Sequence, residues 1–207
     1  MAKVLLTTMP LMGHINPAIP VARALKERGH DVLWYCDKKY DEQLKSAGVQ
    51  LHLADTGFSH DPFDFTVLGS FLHHALIRRR LGELFVDWAG SHYGTLERIA
   101  ENFKPDIVLT DCLFPASLVL ARKLGIPGAV LGVIPYPPGN HSTAPYGLGL
   151  KPAVTSIDKL RNRLLWLIAN KLVFDPLMER VNAKMKRLNV PELKEGFFEA
   201  MVEMCDV

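Results

Sequence analysis

Short apolar runs alternate with stretches of helical spacing along the first part of the chain. Val4-Leu5-Leu6-Thr7-Thr8 is a continuous run bounded by Pro10, the pattern of a strand buried on both faces. Asn16-Pro17 then reads as a helix start, with Asn suited to the N-cap and Pro to the first helical position. Ile19, Ala22, Leu25 and the stem of Lys26 recur on one face, and Gly29 ends the helix. Residues 31–36 read as a second strand, 40–47 as a second helix closed by Gly48, and 49–53 as a third strand. This β-α-β-α-β rhythm predicts a doubly wound, Rossmann-like α/β domain with a parallel sheet and helices on both faces.

The rhythm breaks at residues 54–64, which carry Gly, Ser, Asp and Pro and read as a loop. Two helical stretches follow, near 65–80 and 81–102. A strand at 106–110, a helix at 115–124 stopped by Gly125, and a strand at 128–133 resume the pattern. After a Pro/Gly-rich loop at 135–152, Ser156 or Asp158 can cap a long helix reaching about residue 189, and Pro191 marks a short final helix. Residues 201–207 begin another apolar run and stop. A domain rarely ends inside a strand, so residues 1–207 read as one domain of something longer.

Composition narrows the function classes. Of 207 residues, 48% are hydrophobic and 22% charged, enough to bury a core. The net charge of +2 is too balanced to point to a nucleic-acid partner. Cys36, Cys112 and Cys205 share no metal or disulfide spacing, which fits a reducing, cytoplasmic setting. No stretch reaches the ~18 apolar residues of a spanning helix.

Chain continuity suggests strand order 3-2-1-4-5, which makes strands one and four neighbours where the order reverses. Ligands bind at that reversal, beyond the C-terminal strand ends. The loop after strand one carries His14, and the segment after strand four opens with Asp111. A carboxylate beside one imidazole nitrogen fixes the tautomer and leaves the other nitrogen free to take a proton. The alternative is structural: His14 hydrogen-bonds its turn and Asp111 caps the helix behind it. Spacing alone leaves both open.

Other candidates carry less. The segment Thr8-Met9-Pro10-Leu11-Met12-Gly13 lacks the G-x-G-x-x-G pattern, which disfavours a nicotinamide dehydrogenase. Asp37 then reads as a surface turn residue rather than a ribose ligand. His73-His74 point about 100° apart on a helix and have no carboxylate at i+4, so no metal site is expected. Arg78-Arg79-Arg80 reads as a solvated face, and Cys112 as a small apolar packing group. Residues 164–168, with Leu172, Val173 and Phe174, are apolar nearly all round. With Arg161, Arg163 and Lys171 beside them they would suit a membrane surface, although burial against the body or a further domain is the preferred reading. The loop around Tyr136, Pro137, Pro138 and Tyr146 could wall an apolar pocket or be an ordinary stiff connection.

Gly13-His14-Ile15-Asn16-Pro17, followed by residues 21–32, resembles the opening of family 1 glycosyltransferases of the GT-B fold, in particular the macrolide, sterol and flavonoid enzymes of microbes. Residues 105–111, 121–127 and 144–150 are similar to later segments of the same group, in the same order. The resemblance implies an inverting transfer from a nucleotide-sugar, usually a UDP-sugar, to the hydroxyl of a small, partly apolar acceptor. It implies His14 as general base and Asp111 as its partner, with Gly13 near the donor phosphates. Metal and cofactor are not required. Met12, Phe71, Leu72, Ile134, Tyr136 and Tyr146 are regional candidates for the acceptor wall. GT-B enzymes have two Rossmann-like domains, and the His/Gly-rich segment of the donor-binding one does not occur here. The chain therefore reads as the N-terminal, acceptor-binding half, inactive alone, whose partner is a C-terminal donor-binding domain. The competing reading is a non-catalytic binding or scaffold subunit that recruits a separate donor subunit.

Overall fold

A computed structural model describes residues 1–58, 74–133, 142–145 and 148–205. Its contacts divide the chain into two compact units, one of residues 1–59, 87–135 and 201–207, the other of residues 60–86 and 136–200.

The first unit is built on five parallel strands: β1 (Lys3–Thr7), β2 (Asp31–Asp37), β3 (Gln50–Ala54), β4 (Ile107–Asp111) and β5 (Gly128–Leu131), in the order β3-β2-β1-β4-β5. This is the expected order. Alternate residues of β1 point to opposite faces. Val4 and Leu6 pack with Ile15, Ala18 and Ala22 of helix α1 (Met12–Glu27) and with Leu44 of α2 (Asp41–Lys45). Toward the other face, Thr7 meets Ser117 of α6 (Ala116–Leu124). Helix α6 packs on β4 and β5 and against α5 (Tyr93–Phe103). The three large hydrophobic side chains of β1 are at most 4% exposed, as a strand covered on both faces requires.

Helix α1 begins at Met12, not at Asn16-Pro17 as its local signals suggest. Pro17 and Pro20 lie inside it, unable to donate to the carbonyls of Gly13 and Asn16. Both prolines are on the exposed side, while His14, Ile15, Ala18 and Ala22 are buried. Burial of that face carries the first turn past the helix-breaking signal.

In the second unit, α3 (His74–Gly82) continues into a π-helical segment (Glu83–Trp88) that leads into the first unit through α4 (Ala89–Ser91). The single long helix expected after the Pro/Gly-rich loop is α7 (Ser156–Ala169), a π-helical turn (Asn170–Phe174) and α8 (Asp175–Arg187). Its cap is Thr155, not Ser156: the Thr155 side chain accepts from Asp158 N, and the Asp158 carboxylate accepts from Thr155 N, a reciprocal capping box. Phe85, Phe174, Phe197 and Phe198 form an aromatic cluster in which Phe174 stacks on Phe197 and the other contacts are edge to face. Asn182 clamps Leu193 by accepting its N–H at 2.9 Å and donating to its carbonyl at 3.0 Å. The apolar run expected to open a strand near residue 201 lies in α9 (Glu199–Glu203), and no final helix forms at Pro191.

Candidate active site

The site grows from the C-terminal ends of β1 and β4. Thr7 pairs with Thr110 in register, and both side chains are fully buried. Thr7 donates to Thr110 Oγ1 at 2.7 Å, and Thr110 donates to the Phe114 carbonyl at 3.1 Å. Ser117 Oγ lies 2.7 Å from Thr7 Oγ1. Since the Thr7 proton is committed to Thr110, Ser117 is the donor there. The next residue along β4, Asp111, therefore points to the opposite face, the one covered by α1.

Asp111 is fully buried. Its Oδ1 accepts the Leu113 N–H at 2.7 Å, and its Oδ2 accepts the Met9 N–H. The loop after β1 is tied to β2 by Trp34, whose Nε1 donates to Thr8 Oγ1 at 3.0 Å. Leu11 precedes α1 with no side-chain cap, so His14 sits in the first helical turn. His14 Nδ1 lies 3.2 Å from Asp111 Oδ1. That contact is an ion-pair distance without hydrogen-bond alignment, because the buried Nδ1 has no aligned partner. With Nδ1 buried, the 9% exposure of the His14 side chain falls on its other atoms. The two residues expected to meet, 97 positions apart in sequence, do meet.

Gly13 and Met12 precede His14 on the same turn. Met12 is 42% exposed, and a Cβ on Gly13 would touch nothing within 4 Å. The uncapped turn leaves its first amides available to an acceptor group. Phe71, Leu72, Ile134, Tyr136, Tyr146 and His73 lie outside the described residues. Among the described residues, no group of three His, Cys, Asp or Glu side chains is gathered as a metal site would need.

Asp37 is not the surface turn residue its sequence context suggests. It is buried, accepts from Lys39 N at 2.8 Å and Thr56 N at 3.1 Å, and also binds the Thr56 hydroxyl. Burial raises its pKa, but those hydrogen bonds and the Lys39 charge outweigh burial and hold the carboxyl below the usual range. Its neighbour Cys36 is pushed up to about 11, chiefly by burial, which makes it a packing thiol at neutral pH.

Sequence reasoning missed a second buried pair. The Tyr35 hydroxyl and His92 Nδ1 share a hydrogen bond at 2.7 Å, ringed by Trp88 and Phe114. Burial pushes Tyr35 up to about 12 and holds His92 below the ordinary imidazole range. No local motif signals this pair; only the fold brings positions 35 and 92 together.

Searched against family models, the chain matches none. It is 29% identical over its whole length to 4'-demethylrebeccamycin synthase of Lentzea aerocolonigenes, covering 50% of that protein. Among solved structures, the kitacinnamycin glycotransferase aligns over 99% of this chain and 44% of its own, with a TM-score of 0.67 and 20% identity. The Streptomyces sp. SF2575 glycosyltransferase SsfS6, complexed with thymidine diphosphate, aligns over 95% of this chain and 48% of its own, with a TM-score of 0.60 and 16% identity. At such identities these structures speak for the fold, and the relative that matches throughout speaks for descent. The relatives and structural neighbours that align along this whole chain are family 1 glycosyltransferases of the GT-B fold, and the chain spans about half of their length.

Proposed function

We propose that this chain is the acceptor-binding half of an inverting glycosyltransferase that moves a sugar from a nucleoside-diphosphate sugar to a hydroxyl of a small, partly apolar acceptor. The observation that carries the reading is the 3.2 Å approach of His14 Nδ1 to buried Asp111. With Nδ1 beside the carboxylate, Nε2 takes the acceptor's hydroxyl proton. The acceptor oxygen attacks the anomeric carbon from the face opposite the leaving group. The bond from that carbon to the diphosphate oxygen breaks, and its electron pair leaves with the nucleoside diphosphate. Asp111 offsets the positive charge that forms on the imidazole. The open first turn of α1, with Gly13 and exposed Met12, supports an approach of donor phosphates to backbone N–H groups.

The donor base is left to experiment. Sequence resemblance favours uridine, whereas one structural neighbour holds thymidine diphosphate. The chain is mixed with the remaining half of a relative, and transfer from UDP-glucose and TDP-glucose is measured on an aromatic alcohol. Transfer in the mixture and none by the chain alone is the expected result. His14→Ala should lower the rate on the order of 10²–10⁴-fold. An undiminished rate removes His14 as the base, and acceptor binding without transfer from either donor favours a non-catalytic subunit.

A further inference from the structure

Helix α7 turns an apolar face outward. Ile157, Leu160, Leu164, Leu167, Ile168 and Leu172 range from 80% exposed at Ile157 to 39% at Leu172. Their spacing of three and four residues makes one stripe along the helix and the π-helical turn that follows. Asn162, Ala169 and Val173 are buried and mark the opposite side, against which the second unit packs. Val154, 89% exposed, extends the stripe ahead of the helix. The sequence favours burial of this stretch against the body or a further domain; in this chain its apolar half is open.

The charges beside the stripe are of one sign. Lys159, Arg163 and Lys171 are exposed. The only carboxylate between residues 156 and 174 is Asp158, which turns back to accept from the Val154 and Thr155 amides and pairs with Arg161 at 3.2 Å. We infer that this face binds an anionic lipid surface, with the aliphatic stripe in the acyl boundary and the lysine and arginine heads on lipid phosphates. No described helix is long and apolar enough to cross a membrane, so α7 lies in the interface plane. Lysine and arginine stems can run along the stripe while their heads reach the phosphates.

Charge and composition favour lipid over the other occupants. A second copy laid on the same stripe would bring basic flanks against basic flanks with no carboxylate between them. A protein partner is matched less well, because the centres of protein interfaces concentrate aromatic side chains and deplete lysine, whereas this stripe is wholly aliphatic.

The test is co-sedimentation of the 207-residue chain with vesicles of phosphatidylcholine alone or mixed with phosphatidylglycerol. Binding should require the anionic lipid and fall with added salt. Arg163→Gln and Lys171→Gln should each weaken it about fivefold, and Leu164→Asp combined with Leu167→Asp should abolish it. All four positions are exposed, and circular dichroism checks that the variants fold. Failure to bind mixed vesicles at low salt overturns the inference, as does equal binding to neutral vesicles or binding retained by the aspartate variant. A dimer seen by light scattering and lost in that variant, without vesicle binding, assigns the face to a second copy instead.

Discussion

The amide of Met9 donates to Asp111 Oδ2, so the carboxylate that faces His14 also holds the loop that carries His14. Both Asp111 oxygens accept backbone N–H groups, from Met9 and Leu113, and the side chain is fully buried. Asp111→Asn keeps the shape but turns an amide donor toward one of those N–H groups. A buried donor facing a donor should cost about 1–3 kcal/mol. His14→Gln should cost less, since Nδ1 has no aligned hydrogen bond to lose. Urea unfolding of both variants measures the difference, and equal stabilities would show that the clamp does not hold the loop.

The buried Tyr35–His92 pair predicts an acid-sensitive fold. Burial, opposed by Asp37 and the Thr56 backbone, holds His92 below the ordinary imidazole range. His52, whose ring lies tilted against that of Tyr35, is also lowered, by burial and then by Arg98. The unfolded chain thus binds protons first as pH falls. The stability these imidazoles contribute is whole above about pH 6.5 and is lost as pH drops through their lower folded values. Asp37 titrates in a more acidic range still and does not contribute to this window. Thermal melts between about pH 8 and pH 5, the imidazole range, should show a falling midpoint. His92→Phe should flatten that fall, and an unchanged slope would mean that His92 is not the sensor.

Much of this arrangement is legible in the residues, and the rest is hidden for physical reasons. Strand order follows from continuous apolar runs joined by short helical segments, and the meeting of His14 with Asp111 follows from that order. The start of α1 does not follow, because Asn16-Pro17 is a sound local signal that burial of His14 and Ile15 overrides. The donors that anchor Asp111 are backbone amides at Met9 and Leu113, and an amide leaves no mark in a sequence. Asp37 looks like a turn residue because its partner Thr56 lies a strand away. The outward face of α7 reads as buried, against the body or a further domain, because its aliphatic content says how apolar it is, not what it touches.

Gly125 closes α6 in the left-handed region, with φ of 66°. A Cβ there would meet no atom within 4 Å, so strain in Gly125→Ala comes from backbone conformation alone, about 1–2 kcal/mol. Asn tolerates this region better than Ala and should recover part of the loss. Matching midpoints for the wild-type, Ala and Asn proteins in chemical unfolding would contradict the assignment.

The hydroxyl relay beneath the site gives a sharper test, because its members are coupled. Ser117 donates to Thr7, Thr7 to Thr110, and Thr110 to the Phe114 carbonyl, all within fully buried side chains. Thr7→Val is nearly isosteric, yet it leaves the Ser117 proton without an acceptor and removes a donor from Thr110, at a cost of about 1–3 kcal/mol. Ser117→Ala removes only the first donor and should cost less. Once Thr7 is Val, taking away the Ser117 hydroxyl also removes a stranded donor, so the double variant should lose less than the sum of the two single losses. Interaction energies of about 0.5–3 kcal/mol are usual for residues in one such network. A double-mutant cycle by urea unfolding measures it. Strict additivity would mean that the two hydroxyls act independently and that the relay does not couple α6 to β1.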